Sequence, residues 1–214
     1  MNEESQTIPN DIKSSNLRNI LLNNKKSIIV FLAIVLLSLF VYFFYTDYKK
    51  DQKLQISQKY NSAVINYNKK NPTSSISEMK IIIKTKDPTY SPLALYFLLD
   101  NNLLSNKGEV NQYFDLLIKD EKLEKEIINL LIYKKGLYNS ETASEEELLQ
   151  IFDPLVKSDN LWKSHALYVI AEYFFSKNEK QKSKEFFEKI ITLENSNPQI
   201  KLEAQKRLQR DFSV

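Results

Sequence analysis

The chain carries few side chains of the kinds that perform catalysis. Its 214 residues include one histidine, His165, and no cysteine, which excludes the common nucleophile–base pairs and the histidine–cysteine cages that hold zinc. Its glycines, Gly108 and Gly136, lie too far apart to form a phosphate-binding loop. Carboxylates such as those of Glu124 and Glu126 fall beside lysines on predicted helix surfaces. We therefore expect no enzyme activity, no cofactor, no metal and no small-molecule substrate.

Residues that could bind a protein partner share one face of a predicted helix. They follow the spacing i, i+3, i+7, i+10, next to the packing stripe, which in stacked repeats usually lines the concave surface. With two positions carried to an earlier helix by an internal sequence match, the candidates are Tyr96, Asp100, His165, Tyr168, Glu172 and Phe175. A tyrosine is followed one turn later by a carboxylate in both helices, as Tyr96 with Asp100 and as Tyr168 with Glu172. These two pairs could clamp an extended segment or a partner helix. The alternative is that both tyrosines only pack, with their hydroxyl groups at the rim.

The elements that would position these residues form an internal repeat. The segment Ala94–Asp100 recurs as Ala166–Glu172, and an apolar helix at Leu130–Tyr133 falls halfway between them. Two steps of about 36 residues are close to the period of the tetratricopeptide repeat, a helix–turn–helix unit. We predict three helix pairs followed by a closing helix, at Ser91–Asp120, Lys122–Lys157, Leu161–Glu194 and Pro198–Arg210. The alternative is an array of helical hairpins without that ancestry.

The last helix pair fits the tetratricopeptide pattern best. Its first helix has an apolar face with a small residue at the point of closest helix approach, formed by Leu167, Ile170, Ala171 and Phe174. The second helix places small, aromatic and apolar residues opposite that face, namely Ser183, Phe187 and Ile190. Pairing of this kind removes one apolar stripe of each helix from water.

Three local signals predict where helices begin. Ser75–Glu78 has the capping-box pattern, in which a serine oxygen and a glutamate three residues later satisfy free backbone N–H groups. Ser144–Glu147 is another start signal, and its glutamates suit the positive end of the helix dipole. Ser91 precedes Pro92, and proline is well tolerated at the first position of a helix. We expect a helix to start at each of these places.

The longest apolar run, Ser27–Tyr45, contains no charged residue, glycine or proline. At about 1.5 Å per helical residue it spans nearly the whole hydrocarbon core of a bilayer. The run is longer than a secretory signal core and ends in aromatic residues, so we predict a retained transmembrane anchor. A removed signal peptide and a buried core helix are the alternatives. The helical spacing of Ile56, Tyr60 and Val64 extends this helix as an amphipathic stalk to about Asn68.

The predicted organisation is therefore a flexible tail at 1–26, a transmembrane helix at 27–45, a stalk at 46–71 and a helical repeat domain at 72–214. The net charge is only +3, which gives no electrostatic reason to expect nucleic-acid binding. Lysines flank the apolar run on both sides, so the positive-inside rule does not fix its orientation. Lys25 and Lys26 adjoin the run directly, and large C-terminal domains translocate largely regardless of charge. We therefore favour a cytoplasmic N-terminus and a body outside the cytoplasm.

The whole layout resembles a known family, the ancillary subunits of the bacterial SecYEG translocon. The resemblance lies in the tail, anchor, stalk and degenerate repeat array, in Phe152–Leu155 shortly before Leu161–Leu167, and in the closing helix. It implies an all-α fold in which one transmembrane helix precedes a tetratricopeptide-like α-solenoid of about three helix pairs and a capping helix. The first repeat is shortened between Gly108 and Asp120, and the middle pair lacks most hallmarks of the repeat.

The resemblance also implies a location and partners. It places the chain in the bacterial inner membrane as a single-pass protein whose periplasmic domain associates with SecYEG and with periplasmic chaperones that handle exported proteins. The alternative function is a structural scaffold for another envelope assembly, such as the division or outer-membrane biogenesis machinery. Both functions need only an anchor and a protein-binding array, so the sequence leaves both open.

Overall fold

The computed structural model describes residues 25–212, and all regular structure in that range is helical. The prediction of an all-α chain is therefore confirmed for the described residues. The helices are α1 (Lys25–Ile65), α2 (Thr73–Thr85), α3 (Tyr90–Asp100), α4 (Lys107–Ile118), α5 (Lys125–Asn139), α6 (Glu145–Lys157), α7 (Lys163–Ser176), α8 (Lys180–Thr192) and α9 (Pro198–Phe212). Of the predicted tail, only Lys25 and Lys26 fall within the described residues, and they begin α1.

Helix α1 contains the apolar run found in the sequence. Its most apolar stretch has a mean hydropathy of 2.9, and none of that stretch is buried. The helix is long and apolar enough to cross a membrane. It continues without a break to Ile65, close to the expected end of the stalk at Asn68. The chain divides into two compact units between Gln55 and Ile56.

Two of the three predicted helix starts are wrong. Helix α2 begins at Thr73, before the predicted capping box, and Ser75 is a buried residue inside the helix. Helix α3 begins at Tyr90 because Asp87 accepts hydrogen bonds from the backbone N–H groups of Thr89 and Tyr90, at 2.9 and 2.8 Å. The third prediction is confirmed, since the side chains of Ser144 and Glu147 form a reciprocal capping box.

The second unit is built around a series of hydrophobic clusters along the chain. The first cluster joins the end of α1 with α2 to α5, the second joins α5 to α7, and the third joins α7 to α9. From α2 onward each helix contacts the next, and further contacts join α2 with α4, α5 with α7, and α7 with α9. Within this unit, Tyr90 packs on Tyr60 and donates a hydrogen bond to Ser57 of α1 at 2.8 Å.

The last helix pair packs as its sequence pattern predicts. Every residue assigned to the interface of α7 and α8 is buried, namely Leu167, Ile170, Ala171, Phe174, Ser183, Phe187 and Ile190. The Ser183 hydroxyl donates a hydrogen bond to the backbone oxygen of Ala171 at 2.9 Å. This bond satisfies a hydroxyl that would otherwise be costly to bury. The small residues thus allow the two helices to approach closely.

The middle pair, α5 and α6, makes its contact differently. Gly136 in α5 is buried beneath the aromatic ring of Phe152 from α6, which is itself fully buried. A β-carbon added at Gly136 would overlap that ring. The glycine is therefore required for the close approach of the ring to the α5 backbone. Its backbone torsion is not in the left-handed region.

Candidate protein-binding surface

Three of the predicted binding residues lie together under the last helix of the chain. Tyr168 packs edge-on against Phe187, with ring centroids 5.5 Å apart. Phe175 packs against Phe212 of α9 with a centroid separation of 5.9 Å. Glu172 lies between these aromatic contacts along α7 and is only partly buried. Burial, together with the nearby charge of Glu172, raises the pKa of Tyr168 above its ordinary value.

Arg207 of α9 contacts both Glu172 and Phe175 of this group. Its guanidinium makes a two-pronged contact with Glu172, at 2.7 Å from Nε to Oε1 and 2.9 Å from the terminal nitrogen to Oε2. The same guanidinium lies 2.7 Å from a carboxylate oxygen of Asp211 and 4.3 Å from the ring centroid of Phe175. Planar guanidinium groups favour both kinds of contact. The side chain of Arg207 is only 13% exposed, so α9 covers this part of the predicted face.

The matching residues in α3 have a comparable neighbour. The ammonium group of Lys134, on α5, lies 4.6 Å from the ring centroid of Tyr96. The hydroxyl of Tyr96 is buried and makes no hydrogen bond within the described part of the protein. Burial, followed by the charge of Asp100, raises the pKa of Tyr96. Asp100 is exposed, so a tyrosine–carboxylate pair is accessible here in part.

His165 belongs to a separate aromatic group. Its ring lies 5.3 Å from that of Trp162 and 5.7 Å from that of Tyr133, and the rings of Tyr133 and Trp162 stack at 5.2 Å. Burial lowers the pKa of His165 below its ordinary value. All three residues are half-buried. The structure therefore divides the six predicted residues among three places: α3, the start of α7, and the face beneath α9.

A polar groove that was not predicted from the sequence lies between α4, α5 and α6. It has a volume of about 340 Å³, and its polar lining comprises Lys107, Asn111, Lys135, Asn139, Glu147 and Gln150. One signal in the sequence could have indicated it, because lysine followed by asparagine four residues later occurs in both α4 and α5. That spacing places the two side chains of each pair on one helical face.

Within residues 25–212, no group of three or more histidine, aspartate and glutamate side chains is placed to hold a metal ion. The chain has no cysteine to supply a thiolate. The side chains that come together among the described residues are instead aromatic rings, amides and ion pairs.

Comparison of the chain with models of known protein families, with curated proteins and with solved structures finds no match.

Proposed function

We propose that this chain is a membrane-anchored protein-interaction module that serves the Sec translocon and the periplasmic chaperones of exported proteins. In this proposal α1 is a single-pass anchor in the bacterial inner membrane, with the N-terminus in the cytoplasm and the helical domain in the periplasm. The helices from α3 onward form a tetratricopeptide-like α-solenoid, and α9 caps it. The partners are proteins, and the chain performs no chemistry of its own.

The packing order of the helices carries the proposal. Successive helices contact one another, and α7 also contacts both α5 and α9. In a solenoid of helix pairs, the first helix of each pair contacts the first helix of the next, which is the relation of these three helices. Such arrays present an extended surface and commonly bind other proteins. The apolar, unburied α1 supports the anchoring part of the proposal.

The recurrence of cation contacts supports the same architecture. Tyr96 of α3 has a lysine from α5 over its ring, and the group around Tyr168 has Arg207 from α9. In both cases the cation comes from the helix two positions further along the chain. In α3 the cation lies over the tyrosine ring itself, whereas in α7 it contacts Glu172 and the ring of Phe175. The two contacts therefore share the order of their helices but not the residues that make them.

Affinity purification in mild detergent tests the proposal. We expect a tagged full-length chain to recover SecYEG subunits or periplasmic chaperones, identified by mass spectrometry. A bait that ends at Asn68 keeps the anchor without the helical domain, and its failure to recover the chaperones would assign that contact to α2–α9. Clean absence of translocon subunits, with recovery of a division or outer-membrane assembly complex, would support the scaffold function instead.

The orientation has its own test. A reporter enzyme that is active only outside the cytoplasm, fused after Val214, should be active. A cytoplasmic reporter at the same position should be inactive. The reverse result would overturn the proposed orientation and with it the assignment to periplasmic partners.

A further inference from the structure

The polar groove between α4, α5 and α6 has a buried amide pair at its base. Asn139 is only 3% exposed. Its side-chain nitrogen donates to the oxygen of Asn111 at 2.8 Å, and the nitrogen of Asn111 donates back at 3.1 Å. A third bond runs from the Asn139 nitrogen to the backbone oxygen of Lys135 at 2.8 Å. These bonds hold both amide planes in fixed orientations at the groove surface.

The amide pair retains unused hydrogen-bonding capacity. A primary amide has two N–H donors and an oxygen with two lone pairs. After the bonds above, Asn111 has one N–H left, and each amide oxygen has one lone pair left. Gln150, exposed on α6, adds a further amide at the other wall. The groove therefore presents both donors and acceptors from amide groups.

The charges around the groove offset one another. The ammonium of Lys135 lies 2.6 Å from the carboxylate of Asp115. The ammonium of Lys107 donates to the Thr142 hydroxyl at 2.6 Å, and its charge contributes to the lowered pKa of Glu147, after the larger effect of hydrogen bonds from Ser144. Two cations are thus matched by two carboxylates. A groove rich in hydrogen-bonding groups but without net charge favours a neutral polar ligand over an ion.

We infer that this groove binds the main chain of an extended polypeptide, largely without regard to its side chains. An extended chain presents N–H and C=O groups in alternation, and the amide and ammonium groups of the groove can pair with both. None of the described residues lining the groove is aromatic, whereas sugar sites commonly stack the sugar ring on an aromatic side chain. The inference rests on the proposed function, for which it supplies a site for newly exported, unfolded protein segments.

Fluorescence anisotropy with labelled peptides tests this inference on the full-length chain in detergent micelles. The probes are a short fluorescein-labelled peptide of alternating serine and alanine, acidic and basic versions of it, and a version with alternate backbone nitrogens methylated. If the groove recognises the main chain, the neutral, acidic and basic peptides should have dissociation constants within about threefold of one another. The methylated peptide should bind at least about tenfold more weakly, because methylation removes backbone N–H donors. Equal binding of the methylated peptide would overturn the inference, as would no binding of the neutral one.

A matched pair of double variants locates the site. Lys107→Ala with Gln150→Ala removes two exposed groove side chains and leaves the buried amide pair intact. Gln112→Ala with Lys119→Ala removes the same two side-chain types from exposed positions within α4 and directly after it, and neither position lines the groove. We expect roughly tenfold weaker peptide binding in the first variant and wild-type binding in the second. Wild-type binding by the first variant, or equal losses in both, would overturn the inference.

The two proposals fail in different ways. If purification recovers translocon subunits but the neutral peptide does not bind, only the groove assignment is wrong. If the peptide binds through the groove but purification recovers no translocon subunit or chaperone, the groove assignment holds and the proposed association with the translocon and chaperones is wrong.

Discussion

The middle and last helix pairs achieve close packing with different side chains. Between α7 and α8, small residues face each other, and the Ser183 hydroxyl donates to the backbone of Ala171. Between α5 and α6, Gly136 makes room for the whole ring of Phe152. The first arrangement brings two backbones together, and the second inserts an aromatic side chain against one backbone. Similar helix pairing therefore does not require similar residues, which is why the tetratricopeptide pattern is clear in the sequence of the last pair and obscure in that of the middle one.

Phe152→Ala tests how much the middle pair depends on its inserted ring, and we expect the largest effect here. Removal of a fully buried phenylalanine leaves a cavity and typically costs about 3–5 kcal/mol. Urea denaturation of the full-length chain in detergent, followed by the fluorescence of its one tryptophan, Trp162, measures the change in unfolding free energy. Phe187→Ala is the counterpart in the last pair, since Phe187 is also fully buried. A loss below about 1 kcal/mol for Phe152→Ala alone would show that the middle pair does not need the ring.

The sequence predicted the last pair well because the apolar and small residues of α7 and of α8 each follow one helical period. Ala171, Ser183 and Phe187 have the sizes that the tetratricopeptide pattern requires at their positions. In the sequence, Gly136 indicates only that it forms no phosphate-binding loop with Gly108. Nothing in its neighbourhood along the chain identifies Phe152 as the ring that covers it.

A second reason why parts of the structure could not be predicted from the sequence is visible at the starts of α2 and α3 and in the packing of α9 over Glu172. Several polar side chains near Ser91 can cap a helix, and local patterns do not show that Asp87 does so. Arg207 reaches Glu172 across 35 positions of sequence, and no spacing rule links an arginine on a closing helix with one carboxylate of many. Tyr168, Glu172 and Phe175 lie together under α9, and their binding of a partner stays a prediction.

Arg207→Ala tests the dependence of the last pair on α9, with the second largest expected effect. The change removes the arginine that pairs with Glu172 and one of the two arginines that contact Asp211, the other being Arg210. It also removes the guanidinium that lies over Phe175. A loss of about 2 kcal/mol is expected, below the cost of breaking a fully buried pair because Glu172 is partly exposed. Thermal and urea unfolding of the full-length chain measure it.

Lys206→Ala is the matched control for Arg207→Ala. Lys206 is the preceding residue on the same helix, and its ion pair with Glu203 is exposed. Exposed pairs of this kind contribute about 0–1 kcal/mol. Equal losses in the two variants would show that α9 is held by its helical content rather than by the arginine contacts.

Gly136→Ala tests the same contact in the middle pair by adding a methyl group beneath the ring instead of removing the ring. Alanine favours a helix by up to about 1 kcal/mol over glycine, but here its β-carbon overlaps the ring of Phe152. Overpacking usually costs about 1–3 kcal/mol, so we expect a net loss of about 1–2 kcal/mol. Gly108→Ala is the control, because an added β-carbon there meets only the Asn106 side-chain oxygen, at 3.2 Å. If Gly136→Ala were as stable as Gly108→Ala, close packing at this glycine would not limit the fold.

Ser144→Ala probes a further difference between the pairs at the start of their second helices. Helix α6 begins with a complete capping box, whereas α8 begins after Glu179 without a side-chain cap. Loss of the serine oxygen that accepts from the Glu147 backbone should cost about 1 kcal/mol. Hydrogen exchange should increase mainly in the first turn of α6. An unchanged exchange rate there would mean that the cap contributes nothing measurable.

Glu147→Gln has the smallest expected effect, and its pH dependence identifies the contribution of the carboxylate. Hydrogen bonds from the Ser144 backbone and side chain, helped by the charge of Lys107, lower the pKa of Glu147 in the folded chain. A lowered pKa stabilises the fold fully above the pKa of the unfolded chain, and this contribution is lost as pH falls through the folded pKa. The stability difference between wild type and Glu147→Gln should therefore be present at neutral pH and disappear on acidification. Glu146→Gln removes the same charge from the same turn outside the capping box, so an identical pH dependence in that variant would assign the effect to the helix dipole rather than to the capping bonds.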